Sequence, residues 1–274
     1  MSHTTETERS AGPGAVRSLA DRPAWDELVA ELGGQPFQSW AWGELKSDFN
    51  WQPHRLAAPR GSAAQVLIRP YRGLAVAYVP RGPVLAHDQS LDDSLVDELV
   101  RLARSRRAAF LRLEPDVLED DPAAAALDAA LRRHGFRASA RTLQPRSSIR
   151  LDLRPAEDGL LAGLSKGHRA DIRRAERDGV TVRVGAREEE VDRLHQMLVA
   201  TSARRSFGFH SAAYYRTLWR VFGDAARMLI AEHGGQVVAA SLVLAWGQHG
   251  TYLVAGSTAD GLEHRAAHLL QWHA

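Results

Sequence analysis

The stretch 164–180, LSKGHRADIRRAERDGV, constrains what this chain can fold into more than any other. Ile172 and Ala175 stand three apart, so a helix here has a thin apolar seam and a broad cationic face. That face carries Lys166, Arg169, Arg173, Arg174 and Arg177, with His168 beside them; only Asp171, Glu176 and Asp178 oppose the charge. Asp178-Gly179 stops the helix, because glycine tolerates the left-handed cap conformation. Val180, Val182 and Val184 then alternate, which is strand spacing. A cationic helix feeding a strand suits an anionic ligand; charge alone fits a solvated face as well.

The same mixture of periods runs along the rest of the chain. Asp21 caps a first helix that carries Trp25, Leu28, Val29 and Leu32 and ends at Gly33-Gly34. Ser39 caps a short helix bearing Trp40, Trp42, Leu45 and Lys46, with its tryptophans read as core. Strands are predicted at 65–68, 74–79 and 109–113, the last ended by Glu114-Pro115, and helices at 91–109 and 123–131. Ile149, Leu151 and Leu153 alternate with Arg150 and Asp152, predicting a strand over 147–153. Further helices are predicted at 155–164, 188–203 and, capped by Ser211, through Tyr214, Tyr215, Leu218 and Val221. Strands follow at 226–231, 236–245 and 251–255, the first two joined by a Gly234-Gly235 hairpin turn. A single helix is predicted over 262–272, and the chain stops inside it, from which a missing final segment is expected. The order of elements predicts an α+β chain of two lobes: a disordered leader at 1–15, lobe 1 at 16–147 and lobe 2 at 148–274.

Several chemistries are excluded. The sequence has no cysteine, so disulfides, thiolate zinc sites and a cysteine nucleophile are ruled out. Formal net charge is only +2, so any binding of phosphate or nucleic acid must come from local clusters. No run approaches the roughly 20 apolar residues of a membrane helix, and a cytoplasmic location is expected. There is no G-x-x-x-x-G-K-[ST] loop, no G-x-S-x-G elbow and no H-E-x-x-H helix. His233, His249 and His264 show no ligand spacing, and no metal is expected. Arg132-x-x-Gly135-x-Arg137 and Arg205-x-x-Gly208-x-His210 approach an acetyl-CoA pyrophosphate loop, but each lacks the final small residue that lets bare amides reach the phosphates.

Six segments in one order resemble the Fem (FemABX) non-ribosomal peptidyltransferases: QSWAWGELK at 38–46, YVPRGPV at 78–84, LRLEP at 111–115, LSKGHRADIRRAERDGV at 164–180, FGFHSAAYY at 207–215 and HGTYLVAGS at 249–257. The resemblance implies two tandem acyl-CoA N-acyltransferase (GNAT)-like lobes with a cleft between them, here without the long helical arm of some members. It implies transfer of an amino acid from aminoacyl-tRNA, as co-substrate and without a cofactor, to an amine of a peptidoglycan-precursor peptide. By family position Lys46 contacts precursor phosphates, Glu114 lies in the acceptor channel, and Tyr214 and Tyr252 line the nucleotide-sugar site. His210 stands where relatives often have a phosphate-binding arginine, and being neutral for much of the time near pH 7 it lacks that fixed charge. Without the resemblance both tyrosines read as core residues.

The ester donor is already activated, so the protein must bring amine and carbonyl to about 3 Å and let the amine lose a proton. Glu114 is the expected proton acceptor, or else an anchor for the acceptor ammonium, or a strand-end carboxylate paired with Arg112. Lys166, Arg169, Arg173 and Arg177 are expected to neutralise tRNA phosphates. The implied partners are aminoacyl-tRNA and the acceptor peptide, with membrane contact only through a lipid-linked substrate, and a monomer is expected. Three other readings stay open: transfer to a secondary-metabolite peptide, acyl-CoA N-acyl transfer, and an inactive module that binds tRNA or precursor.

Overall fold

The structure, a computed structural model, describes residues 15–205 and 208–274; most of the expected leader, and Phe207 in one of the six segments, lie outside them. The chain forms two compact units that divide between Arg146 and Ser147. In unit 1 the elements are β1 (Arg17–Ser18), α1 (Arg22–Glu31), α2 (Trp40–Ser47), β2 (Gln52–Ala57), β3 (Ala63–Tyr71), β4 (Leu74–Pro80), α3 (Asp93–Ser105), β5 (Ala108–Glu114) and α4 (Pro122–Arg133). Their sheet runs in chain order from β1 to β5, antiparallel except for the parallel β4–β5 pair, which α3 connects. Unit 2 holds α5 (Glu157–Gly163), α6 (Lys166–Arg177), β6 (Thr181–Val184), α7 (Glu189–Arg205), α8 (Ala212–Phe222), β7 (Ala226–His233), β8 (Gln236–Trp246), β9 (His249–Ser257), α9 (Ala259–Glu263) and α10 (Ala266–His273). Its antiparallel sheet runs β6-β7-β8-β9.

Alternation along β3 sorts the two faces of the first sheet. Ala64, Val66 and Ile68 pack with Leu95 and Leu99 of α3, each large side chain contributing roughly 1.5–3 kcal/mol by leaving water. Gln65 faces the other way and meets α2 instead. There Gln38, fully buried, donates from Nε2 to Pro80 O at 2.6 Å and accepts at Oε1 from Gln65 N at 2.6 Å. Gln65 Nε2 in turn donates to Ser39 O at 2.9 Å, and Trp25 Nε1 donates to Gln38 O at 2.8 Å. Asp26 accepts from Trp40 N at 2.7 Å, and Arg55 stacks over the Trp40 ring at 3.4 Å while donating to Trp40 O at 3.2 Å. Burial raises the Asp26 carboxyl above its usual range and lowers the Arg55 guanidinium to about 10. A Cβ on Gly43 would run into the Arg55 guanidinium and the Gln65 amide, so α2 can lie this close only with glycine there.

In unit 2, Leu229 and Ala231 of β7 share a core with Ile172, Ala175, Leu269 and Leu270 from α6 and α10. Met228 and Ile230 alternate onto the opposite face, where α7 and α8 pack. Gly234 and Gly235, both at positive φ (55° and 75°), make the two-residue turn between β7 and β8.

Four expectations fail. Residues 147–153 form no strand: Ile149, Leu151 and Leu153 are 89%, 67% and 63% exposed, because alternation supplies a face but no ladder partner. The single helix over 262–272 is instead α9 and α10, separated by Arg265 in the left-handed conformation (φ 57°). Strand β2 went unread because Gln52, Pro53, His54 and Arg55 hide its period, and the helix predicted at 91–109 begins only at Asp93, capped by Asp92.

Gln38→Ala removes an acceptor from Gln65 N and a donor from Pro80 O in a fully buried site. It should lower the stability of unit 1 by about 2–3 kcal/mol, read as a fall in the urea midpoint at unchanged slope.

Candidate functional site

In unit 1 the candidate residues stand on two supports. The first is α2, whose N-terminus is fixed by Ser39 Oγ accepting from Trp42 N at 3.2 Å. Lys46, in its last turn, lies with Nζ 4.8 Å from the centroid of the Trp42 ring. Burial, and then the charge of Arg69, lower the Lys46 ammonium to about 8. Arg69 itself lies 5.7 Å from the centroid of Trp51. Two cations that repel each other over indole rings make a place where an anion is welcome, since an anion relieves the repulsion as well as the desolvation.

The second support is the C-terminal edge of the parallel β4–β5 pair. Glu114 Oε1 accepts from Leu143 N at 2.7 Å, and Oε2 accepts from Gln144 N at 3.1 Å and from the Tyr78 hydroxyl at 2.7 Å. Gln144 Nε2 donates to the Tyr78 oxygen at 3.2 Å, and Arg112 lies 4.0 Å from Oε1. Burial pushes the Tyr78 phenol well above its usual range, and donation to Glu114 adds to that. Glu114 thus ties the 143–144 backbone to the strand ends. The three hydrogen bonds it accepts make it a clamp on that backbone. Beside it Arg81 pairs with Asp116 at 3.1 Å, and Gln35 Nε2 donates to Asp116 at 2.9 Å.

In unit 2 the structure brings His210 and Tyr214 together, their rings stacked at 3.8 Å and 21°. Ser211 caps α8 by accepting from Tyr214 N, and His210 N donates to the Tyr215 hydroxyl at 3.3 Å. His195 and Phe209 complete the ring cluster at 5.5 Å, and neither was singled out by sequence spacing. Tyr214 is only 4% exposed and burial raises its phenol. Tyr252 sits on β9 opposite Val243 and is 42% exposed, so the core reading holds for Tyr214 and fails for Tyr252.

Helix α6 divides its cations. Arg169 Nη1 donates to Ala162 O at 2.8 Å and to Leu164 O, capping the end of α5, so part of its guanidinium is engaged by the backbone. Arg174 pairs with Asp178 at 3.5 Å, and Asp171 pairs with Arg265 at 3.4 Å. Lys166, Arg173 and Arg177 are exposed and have no side-chain partner among the described residues. Their helical spacing sets all three on one stripe opposite buried Ala175. His233 and His264, which lack ligand spacing in the sequence, nonetheless stack at 4.0 Å.

Comparison with known proteins agrees with this architecture. The model of the FemAB family matches residues 33–234. The chain is 28% identical over 257 residues to the UDP-N-acetylmuramoylpentapeptide-lysine N(6)-alanyltransferase of Weissella viridescens, covering 87% of this chain and 74% of that one. It is 25% identical over 213 residues to the lipid II:glycine glycyltransferase of Staphylococcus aureus, covering 72% of this chain but only half of the relative's length. Among solved structures, FemX superposes with a TM-score of 0.82 at 16% identity, over 93% of this chain and 83% of that one. That match supports the α+β reading of the fold, with one sheet in each unit. Among the described residues no helix is long and apolar enough to cross a membrane.

The sequence contains two lysines, Lys46 and Lys166, so their reactivities can be separated by peptide mass. Competitive acylation against pH should give Lys46 a midpoint near 8. A Lys46 midpoint at the ordinary lysine value of about 10.4 would remove the desolvated environment assigned to it.

Proposed function

The chain belongs to the FemAB family, and from that premise we propose that it is an aminoacyltransferase that moves an amino acid from aminoacyl-tRNA to an amine of a peptidoglycan-precursor peptide. The names of the alanyl- and glycyltransferase relatives support the acceptor class. The observation that carries the donor is the α6 stripe: Lys166, Arg173 and Arg177 have no side-chain partner among the described residues, whereas Arg169 and Arg174 next to them are engaged by backbone carbonyls and by Asp178. Unpaired cations in a row along an exposed helix are what a polyphosphate backbone displaces counterions to reach.

In the proposed reaction the acceptor amine attacks the ester carbonyl. A C–N bond forms, the C–O bond to the ribose breaks, and the ribose oxygen leaves with the electron pair and takes up a proton while the amine gives one away. The ester supplies the driving force, so the protein contributes position and charge. Lys46 and Arg69 are assigned to the acceptor's phosphates. Glu114, Tyr78 and Gln144 are assigned to holding the 143–144 backbone, and Glu114, in the acceptor channel by family position, is also assigned to the acceptor amine, as its proton acceptor or its ammonium anchor. His210 stacked on Tyr214 offers an aromatic shelf with a hydrogen-bonding edge, suited to a sugar or base. Tyr252, half exposed, remains assigned to the acceptor by family position alone.

The test is to incubate the chain with a mixed pool of charged tRNA and UDP-N-acetylmuramoyl pentapeptide, and to weigh the product. We expect the acceptor mass to rise by one amino-acid residue and the rise to vanish with uncharged tRNA. Reversing Lys166, Arg173 and Arg177 together to Glu should weaken tRNA binding and flatten the slope of log affinity against log salt by about 2–3. Transfer from an aminoacyl thioester with no need for tRNA, or a salt slope unmoved by the triple reversal, would contradict the assignment.

A further inference from the structure

We infer that unit 2 carries a divalent transition-metal site built from His233, Asp260 and His264, with Asp178 orienting one of the ligands. The three residues come from separate places. His233 ends β7 at the Gly-Gly turn, Asp260 lies in the first turn of α9, and His264 follows the last residue of α9. One ligand atom from each lies within 4.8 Å of the other two. His233 Nδ1 is 2.9 Å from Asp260 Oδ2, and His264 Nε2 is 3.6 Å from Asp260 Oδ1.

The distances fit. Zinc bound at about 2.0–2.2 Å to imidazole nitrogen and carboxylate oxygen sets tetrahedral ligand atoms about 3.4 Å apart. The pairs at 2.9 and 3.6 Å, each to a different oxygen of Asp260, and the histidine nitrogens, within 4.8 Å of each other, reach that spacing by rotation of the side chains. All three residues are partly exposed, so an ion can enter from solvent and water can fill the remaining positions.

The hydrogen-bond pattern also favours a cation. His264 Nδ1 lies 3.0 Å from Asp178 Oδ2. With Nδ1 engaged by Asp178, Nε2 of His264 is the atom left facing the Asp260 carboxylate, where a metal ion would bind both. A carboxylate that accepts from the far nitrogen of a metal-binding histidine fixes its tautomer and raises its basicity. Two imidazoles and one carboxylate with open positions suit Zn²⁺, Ni²⁺ or Fe²⁺ and disfavour Ca²⁺ and Mg²⁺, which seek oxygen. The ion would pin the β7–β8 turn to α9 and to the end of α6, which makes it a structural clip; it is independent of the acyl-transfer reading.

The test is a titration of the untagged chain, freed of metal with a chelator, with Zn²⁺ by calorimetry and with Co²⁺ by visible absorption. We expect one saturable site, the absorption bands of Co²⁺ in a nitrogen–oxygen environment, and a rise in Tm on adding Zn²⁺. His233→Ala and His264→Ala should each weaken binding by at least about tenfold, and Asp178→Asn by roughly 10–100-fold. His87→Ala should leave it unchanged. Should a variant fold poorly, the imidazole nitrogen resonances of the wild-type chain serve instead, and two histidines should shift with Zn²⁺. Absence of saturable binding to the wild type, or binding that survives the His233→Ala/His264→Ala double variant, would overturn the site.

Discussion

The buried contact between Gln38 and Gln65 is the constraint on which unit 1 depends. Both side chains are out of water, and between them they tie the start of α2 to β3 and to the end of β4. In a low-dielectric interior the bonds made by Gln38 and Gln65 Nε2 are strong and costly to break, which holds α2 in this placement. Everything proposed for the front of unit 1 follows from that placement. Trp42 lies under Lys46 because α2 cannot turn, and α2 cannot turn because Trp25, Asp26 and Arg55 grip it from the other sides. The same desolvation that anchors the helix lowers the Lys46 ammonium to about 8, so a structural device also tunes a functional group.

Unit 2 handles charge differently. Its cations sit outside, on α6, and the fold sorts them by giving some of them work. Arg169 closes the end of α5, Arg174 holds Asp178, and Asp171 is taken by Arg265. What remains is a short stripe with no side-chain partner among the described residues. A half-buried lysine in one unit and an exposed cationic stripe in the other are the two places proposed for phosphate. The first favours a particular group in a particular place, and the second favours a backbone of any sequence.

Local chemistry was legible in the sequence, and pairing over distance was not. Asp21, Ser39 and Ser211 cap the helices they were expected to cap, because the signal lies within three residues. Gly234-Gly235 made its turn for the same reason. Residues 147–153 mimic a strand, yet a strand needs a neighbour, and the alternation of Ile149, Leu151 and Leu153 cannot supply one. Arg169 read as a phosphate ligand because its use by the carbonyls of α5 depends on how the preceding turn folds back. Tyr252 and Tyr214 looked alike in sequence, but one lies on an edge strand and the other on the buried side of α8. Asp260 and His264 stand four apart along the chain, but His233 joins them only through the fold, where the end of β7 meets α9.

The central claim is a division of labour, with the tRNA donor on α6 and the acceptor's phosphates at Lys46 and Arg69. Hydrogen exchange of the intact chain, read peptide by peptide with each substrate added alone, tests it most directly. Charged tRNA should protect 164–180 and leave 39–48 unchanged, and UDP-N-acetylmuramoyl pentapeptide should do the reverse. Protection of 39–48 by tRNA alone, or of neither segment by either substrate, would contradict the account.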